Sequence, residues 1–197
     1  LRWFKDSVCG QEKDGDYFDV LNNAAKDIPA GSDGVLFLPY LTGGTNDVKE
    51  ATGCFLNMTL DTDQATLWHA VLEAIGYDYM EITDLYRGAG VDMSRITITE
   101  GGSRSEIWNQ MKSDMLGSEV ITLKNAGGAV VTDCIVGAYA LGHITNMKAA
   151  LTESLEIKKL YYTNAENHDF YAKQYALQKK LVKQDMKEAF HTLKALH

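Results

Sequence analysis

The sequence predicts an α/β domain. Short apolar or β-branched runs alternate with stretches of helical periodicity in the order strand, strand, helix, strand, helix, strand, helix. Two of the strand-to-helix junctions are rich in glycine, at Gly101-Gly102 and at Asn125-Ala126-Gly127-Gly128. With 45% hydrophobic residues in a chain of 197, there is enough apolar material for a buried core.

Residues 1–34 are polar and broken by Gly10, Gly15, Gly31 and Gly34, with a short helix expected near Tyr17 to Lys26. Val35-Leu36-Phe37-Leu38 reads as a buried strand stopped by Pro39. The turn-forming run Thr42-Gly43-Gly44-Thr45-Asn46-Asp47 follows, and a second strand is expected from Gly53 to Leu60. Asp61-Thr62 offers an N-cap to a helix whose apolar positions are Leu67, Val71, Ala74, Ile75, Ile82 and Leu85. Gly88-Ala89-Gly90 ends it.

Arg95 to Thr99 is a β-branched strand running straight into Glu100-Gly101-Gly102. A helix over Ser105–Leu116 follows, with Ile107, Met111 and Met115 on one stripe, and Val120 to Leu123 is the next strand. Gly128 to Leu141 reads as a buried helix closed by Gly142. From Asn164 onward, Lys-rich positions interleave with Phe170, Leu177, Leu181, Met186, Phe190, Leu193 and Leu196 as one long amphipathic helix. Its apolar stripe serves either as a cover for the domain's own core or as a face for homodimer formation.

Nineteen basic against 27 acidic residues give a net charge of −8, which excludes a broad nucleic-acid or anionic-membrane surface. A mononucleotide remains compatible, because it needs only a few backbone N–H donors. No apolar run is long enough to span a bilayer. Cys9, Cys54 and Cys134 are dispersed, which predicts reduced, mostly buried thiols and a cytoplasmic setting. The histidines show no metal-ligand spacing, and there is no Walker A, GxGxxG, GxSxG or HExxH pattern.

Glycines between a strand and a helix let backbone approach a flat or charged ligand, and the helix start offers free N–H groups. Gly101 and Gly102 are therefore candidate ligand-facing positions, although a simple tight turn explains them equally. A side chain at Gly102 is expected to block the approach. Ser103 and Glu106 fit a capping box. Asp133, an acid among apolar residues, is either functional or paired with a neighbouring helix end.

Several segments resemble the C-terminal domain of the FGGY carbohydrate kinases, xylulose kinases above all. Leu1-Arg2-Trp3-Phe4-Lys5-Asp6 is similar to L-x-W-x-[RK]-D, and the run Gly34 to Gly43 to G-L-x-F-L-P-Y-L-S-G. Ala70 to Tyr77 resembles A-V-L-E-G-[IV]-[AG]-[FY]. Gly101-Gly102-Ser103-Arg104-Ser105, with Trp108, Asn109 and Gln110, resembles the adenosine motif. The resemblance is collinear over about residues 1–145, and departs at Thr42–Asp47, where the family usually has S-G-E-R-x-P.

The resemblance implies an actin-like ATPase (ribonuclease-H-like) domain over residues 1–155, with residues 156–197 as a helical extension. It places ATP, with Mg²⁺, against Gly101 and Gly102, with Ser105 and Glu106 lining the same pocket, Arg2 nearby, and Gly128 and the Asp133 helix packed beneath. The aspartate base, most sugar contacts and the phosphate loops would lie in an N-terminal kinase domain upstream of these residues. No catalytic residue is therefore assigned to this chain. The implied sugar is a pentulose, D-xylulose first, with gluconate or another polyol as the alternative, and a non-catalytic nucleotide-binding or interaction domain as the reading of a different class.

Overall fold

The computed structural model describes residues 1–44, 48–124 and 128–196. The Thr45–Asp47 part of the first glycine-rich loop and the Asn125–Gly127 part of the second turn lie outside the described residues. The elements are α1 (Tyr17–Ala25), β1 (Leu36–Leu38), β2 (Cys54–Leu56), α2 (Gln64–Gly88), β3 (Arg95–Ile98), α3 (Glu106–Leu116), β4 (Glu119–Leu123), α4 (Gly128–Ala140), α5 (Met147–Ser154), β5 (Ile157–Tyr161), α6 (Ala165–Lys180) and α7 (Lys187–Ala195).

The strands form two sheets. β1 and β2 are an antiparallel pair, with Phe37 opposite Phe55 and their rings stacked 4.4 Å apart. β3 and β4 run parallel around the α3 crossover, and β5 closes the other edge of β4 antiparallel. β5 lies within the segment expected to be a helical extension, so residues 157–161 belong to the sheet instead. Its sequence, Ile-Lys-Lys-Leu-Tyr, leaves all but the last two positions exposed, and that polar edge hides a strand from a hydrophobicity reading.

α2 is the spine. Its N-cap is Asp63, two residues beyond the expected Asp61, and the carboxylate accepts the Thr66 N–H at 2.8 Å. Trp68, Leu72 and Tyr77 are buried along it, with the Phe4 and Phe18 rings against Trp68. α3 crosses so closely at Gly76 that a Cβ there would meet Met115 Sδ at 2.2 Å. Glycine is thus what permits the contact. At the far ends, Arg87 Nη2 donates to Leu116 O at 2.6 Å and to Ser118 Oγ at 3.0 Å, tying the two helices together. Gly117, at φ 57°, provides the left-handed C-cap of α3.

The expected single C-terminal helix is two helices joined by a π-helical turn over Leu181–Asp185. Tyr171, Tyr175, Gln178 and Val182 form one buried stripe. On an uninterrupted α-helix Phe190 would stand about 100° away from it. The π turn absorbs one extra residue and returns Phe190 to the core. The residues that cover the core are thus not the expected stripe: Phe170, Leu177, Leu193 and Leu196 are exposed, Leu181 and Met186 are half-buried, and Phe190 alone of that set is buried.

Two burial expectations change. α4 is helical as expected, but Val130 and Leu141 are 68% and 76% exposed, because within the described residues α4 packs chiefly on α5. Cys134, on the same helix, is exposed, while Cys9 and Cys54 are half-buried; all three thiols are free.

Candidate functional site

A cavity of about 630 Å³ opens where β3 turns into α3. One wall is the turn itself: Ile98, Thr99, Gly101, Gly102, Arg104 and Ser105. The floor comes from α2 and α3 through Trp68, Leu72, Trp108 and Lys112, and the opposite wall from the start of α1 through Asp16, Phe18 and Asp19. Trp68 Nε1 donates to Asn22 Oδ1 at 3.0 Å, which ties the floor to the α1 wall. The result is an apolar, aromatic slot with a polar rim, the usual make-up of a small-molecule site.

The turn is a single 3₁₀ turn, Gly101–Ser103. A Cβ built on Gly101 meets no atom within 4 Å, whereas one on Gly102 meets Trp108 at 3.4 Å and Lys112 Nζ at 3.7 Å. Gly101 is therefore the position whose bare backbone faces open space. Gly102 instead faces Trp108 and Lys112, side chains that line the same cavity.

Ser105, not Ser103, caps α3: its Oγ accepts the Trp108 N–H at 3.3 Å. Ser103 Oγ instead donates to Glu100 O at 2.7 Å. The expected capping box does not form, because Glu106 turns away to pair with Lys159 at 2.8 Å. That hydrogen bond holds the Glu106 carboxyl below its usual range.

Of the five residues expected at the site, the structure brings Gly101, Gly102 and Ser105 together around the cavity. Glu106 lies on another face, in a groove shared with His69, Asp114 and Lys159. Arg2 is exposed and outside the cavity wall. Asp133 is exposed on α4, and among the described residues none from α4 lines the cavity. The residues missed are Lys112, Trp68 and the α1 wall. Lys112 had one readable signal, its position four residues after Trp108 and so on the same helix face.

Glu100, the last residue before the turn, sits at φ 61°, ψ −157°, a region that glycine alone occupies without strain. Glu100→Gly is expected to raise stability by about 1 kcal/mol, the strain relieved less the entropy cost of a glycine. Chemical denaturation measures this, and a destabilised variant would show that the turn does not hold Glu100 in that conformation.

A Ser–His–Glu set elsewhere resembles a nucleophile assembly but lies inside the core. Ser32 Oγ donates to Glu73 Oε2 at 2.8 Å and lies 2.9 Å from His69 Nδ1, while Gly31 N donates to Glu73 Oε1 at 2.7 Å. Ser32 has no solvent exposure, so a substrate has no approach to its hydroxyl. The set fastens the turn before β1 to α2, and Tyr171 of α6 hydrogen-bonds the same carboxylate.

Among the described residues, no three His, Cys, Asp or Glu side chains stand together as a metal cage. Nor is any helix among them long and apolar enough to cross a membrane.

Residues 1–141 match the family model for the FGGY family of carbohydrate kinases, C-terminal domain. The chain is 28% identical over 186 residues to the xylulose kinase of Staphylococcus epidermidis strain RP62A, covering 93% of this chain and 37% of that protein. It is 32% identical over 161 residues to the gluconokinase of Bacillus subtilis strain 168, covering 76% of this chain and 31% of that one. The crystal structure of xylulose kinase from Rhodospirillum rubrum superposes with a TM-score of 0.77 at 24% identity, over 96% of this chain and 38% of that chain. The chain thus spans about a third of the relatives it matches. The structural likeness shows the fold, the actin-like ATPase fold of these sugar kinases. Residues 1–141 carry the family's C-terminal domain, and the chain belongs to the FGGY family of carbohydrate kinases.

Proposed function

We propose that this chain is the ATP-binding half of an ATP-dependent sugar kinase whose substrate is a pentulose, D-xylulose. The observation that carries the reading is the cavity at the β3–α3 junction, with the bare Gly101 backbone on one side and Trp68 and Trp108 beneath. A flat base fits against aromatic and glycine surfaces, and the open rim leaves the phosphates toward solvent or a second domain. Mg²⁺ comes with the ATP phosphates in this reading, as it does where few carboxylates contact it. The base that takes the sugar proton, and most of the sugar contacts, belong to an N-terminal domain contributed by a longer protein. Phosphoryl transfer depends on positioning and charge stabilisation across a closed cleft, and this chain supplies one wall.

Gluconate is the second reading, favoured by the 32% identity to a gluconokinase against 28% to a xylulose kinase. A longer protein containing these residues, assayed with ATP and each sugar in turn, separates the two.

The test on this chain is calorimetric titration with Mg-ATP, with Gly101→Val as the control. Gly101 has no positive φ, so valine is tolerated by the backbone and projects into open space. Binding weakened by about tenfold or more at unchanged melting temperature is the expected result, since a lost close approach costs at least 1.4 kcal/mol. Undiminished binding in the variant removes this turn from the site. Turnover of D-xylulose by the chain alone would overturn the assignment of the base to another domain.

A further inference from the structure

We propose that Lys112 is the positioning residue of this cavity: its ammonium, seated behind the Gly101–Ser103 turn, fixes the backbone that faces an adenine nucleotide and favours the nucleotide's negative charge. The proposal rests on the nucleotide reading above and deepens it.

Lysine in the middle of a helix ordinarily extends into water, yet Lys112 is 2% exposed. Its Nζ donates to Gly102 O at 3.1 Å and to Asn109 Oδ1 at 3.3 Å, and it lies 3.8 Å from the centre of the Trp108 ring. No carboxylate pairs with it among the described residues. Burying an ammonium without a counter-charge is costly, and a structure holds one only where other contacts fix it. Here the contacts are two oxygens and an aromatic face.

Asn109, fully buried, donates its Nδ2 to Ser103 O at 2.7 Å. Consecutive carbonyls, those of Gly102 and Ser103, are therefore pinned from α3 by neighbouring side chains. The turn has no Cβ at Gly101 or Gly102, and these two hydrogen bonds tie it to α3 beyond its own bonds from Ser103 N and Oγ to Glu100 O. A backbone set before the ligand arrives loses less entropy on binding.

Burial pushes the Lys112 ammonium down to about 8. The other ionisable groups lining the cavity are Asp16 and Asp19 before and within α1, Tyr79 on α2, Arg104 on the turn and the amino group of Leu1. A bound polyanion favours the protonated amine, so affinity falls as pH rises above 8, with Lys112 the group responsible.

The test compares the wild-type chain with Lys112→Met, which fills the space without charge or donor, and Lys112→Arg, which keeps both. Mg-ATP is titrated calorimetrically from pH 7.5 to 9.5, above the range where its own phosphates take up protons. Exchange of the Ser103 and Arg104 amides is followed in the same proteins. We expect Lys112→Met to bind about tenfold more weakly at pH 7.5, the worth of a charged hydrogen bond, and to lose the alkaline decline. Lys112→Arg should restore binding and remain insensitive to pH, because arginine stays charged. Faster Ser103 and Arg104 exchange in Lys112→Met, at equal global stability, is the expected sign of the released turn.

Equal affinity and an equal pH profile in wild type and Lys112→Met would overturn the proposal. If the wild type does not bind ATP at any pH, the nucleotide reading itself fails. Amide exchange then still decides the brace, and unchanged exchange refutes it. Should Lys112→Met not fold, an alkaline decline that persists in Lys112→Arg refutes the charge role.

Discussion

Replacing Glu73 with alanine is expected to remove about 3–5 kcal/mol of folding stability, read as a fall in denaturant midpoint at constant m-value. The carboxylate accepts the Gly31 N–H and the Ser32 hydroxyl and is hydrogen-bonded by Tyr171, all in the interior. Each donor left without an acceptor there costs about 1–3 kcal/mol, and the vacated volume adds to it. A loss below about 1 kcal/mol would mean that water takes over the role of the carboxylate.

The same group gives a pH signature. Burial raises Glu73 to about 7 from its ordinary 4.5, and lowers His69 to about 4 from 6.5. Taken alone, the raised carboxyl gives stability present in full below pH 4.5 and lost as pH rises through 7. The lowered imidazole does the reverse: its contribution is present above pH 6.5 and lost as pH falls toward 4. Between about 4.5 and 6.5 the folded pair holds one proton, on Glu73, and the unfolded pair also holds one, on the imidazole, so the slopes cancel. Glu73→Gln breaks the balance, and stability should then climb with pH across that window by up to about 1.4 kcal/mol per unit. His69→Gln should show the opposite slope. Flat profiles in both variants would mean that neither group is neutral in the core.

Asp114→Ala is expected to cost about 2–4 kcal/mol and to loosen the C-terminal helices before the rest of the fold. Its carboxylate accepts from Gln110 Nε2 at 2.7 Å, Asn164 N at 2.9 Å and Asn167 Nδ2 at 2.8 Å, while its own carbonyl lies 2.8 Å from His168 Nδ1. One buried acid on α3 thus organises the whole first turn of α6. Hydrogen exchange should show residues 164–180 opening well below the global free energy in the variant. Exchange that remains uniform with the rest of the chain would place the anchorage in Tyr171 and Phe190 alone.

Periodicity and apolar runs made α2, α3 and the strands β1, β3 and β4 legible, although Ile82 and Leu85 of the expected α2 stripe are 49% and 71% exposed. It could not find β5, where Lys158 and Lys159 dilute the pattern, nor the π turn, which exists to correct the phase of Phe190. α4 misled in the other direction: its apolar composition reads as buried, but the described chain supplies little to cover it. At the site, the glycines announced the turn, yet which of them faces outward depended on backbone direction. Lys112 escaped because a lysine in a helix reads as a solvated residue, and its neighbours revealed otherwise only in three dimensions. Glu106 and Arg2 rest on the family pattern alone, and neither is among the residues that line the cavity, although Leu1 beside Arg2 is.

The helices α6 and α7 carry a consequence for synthesis. Val182 and Phe190 pack in the same core as Phe4 and Trp68, and His191 meets Glu50 across 141 residues of sequence. A chain emerging from the ribosome at about 5–20 residues per second therefore waits roughly ten seconds or more, after its first segment appears, for the pieces that close its interior. Until then Phe4 and Trp68 have only part of their cover, and the interior they build stays open to water.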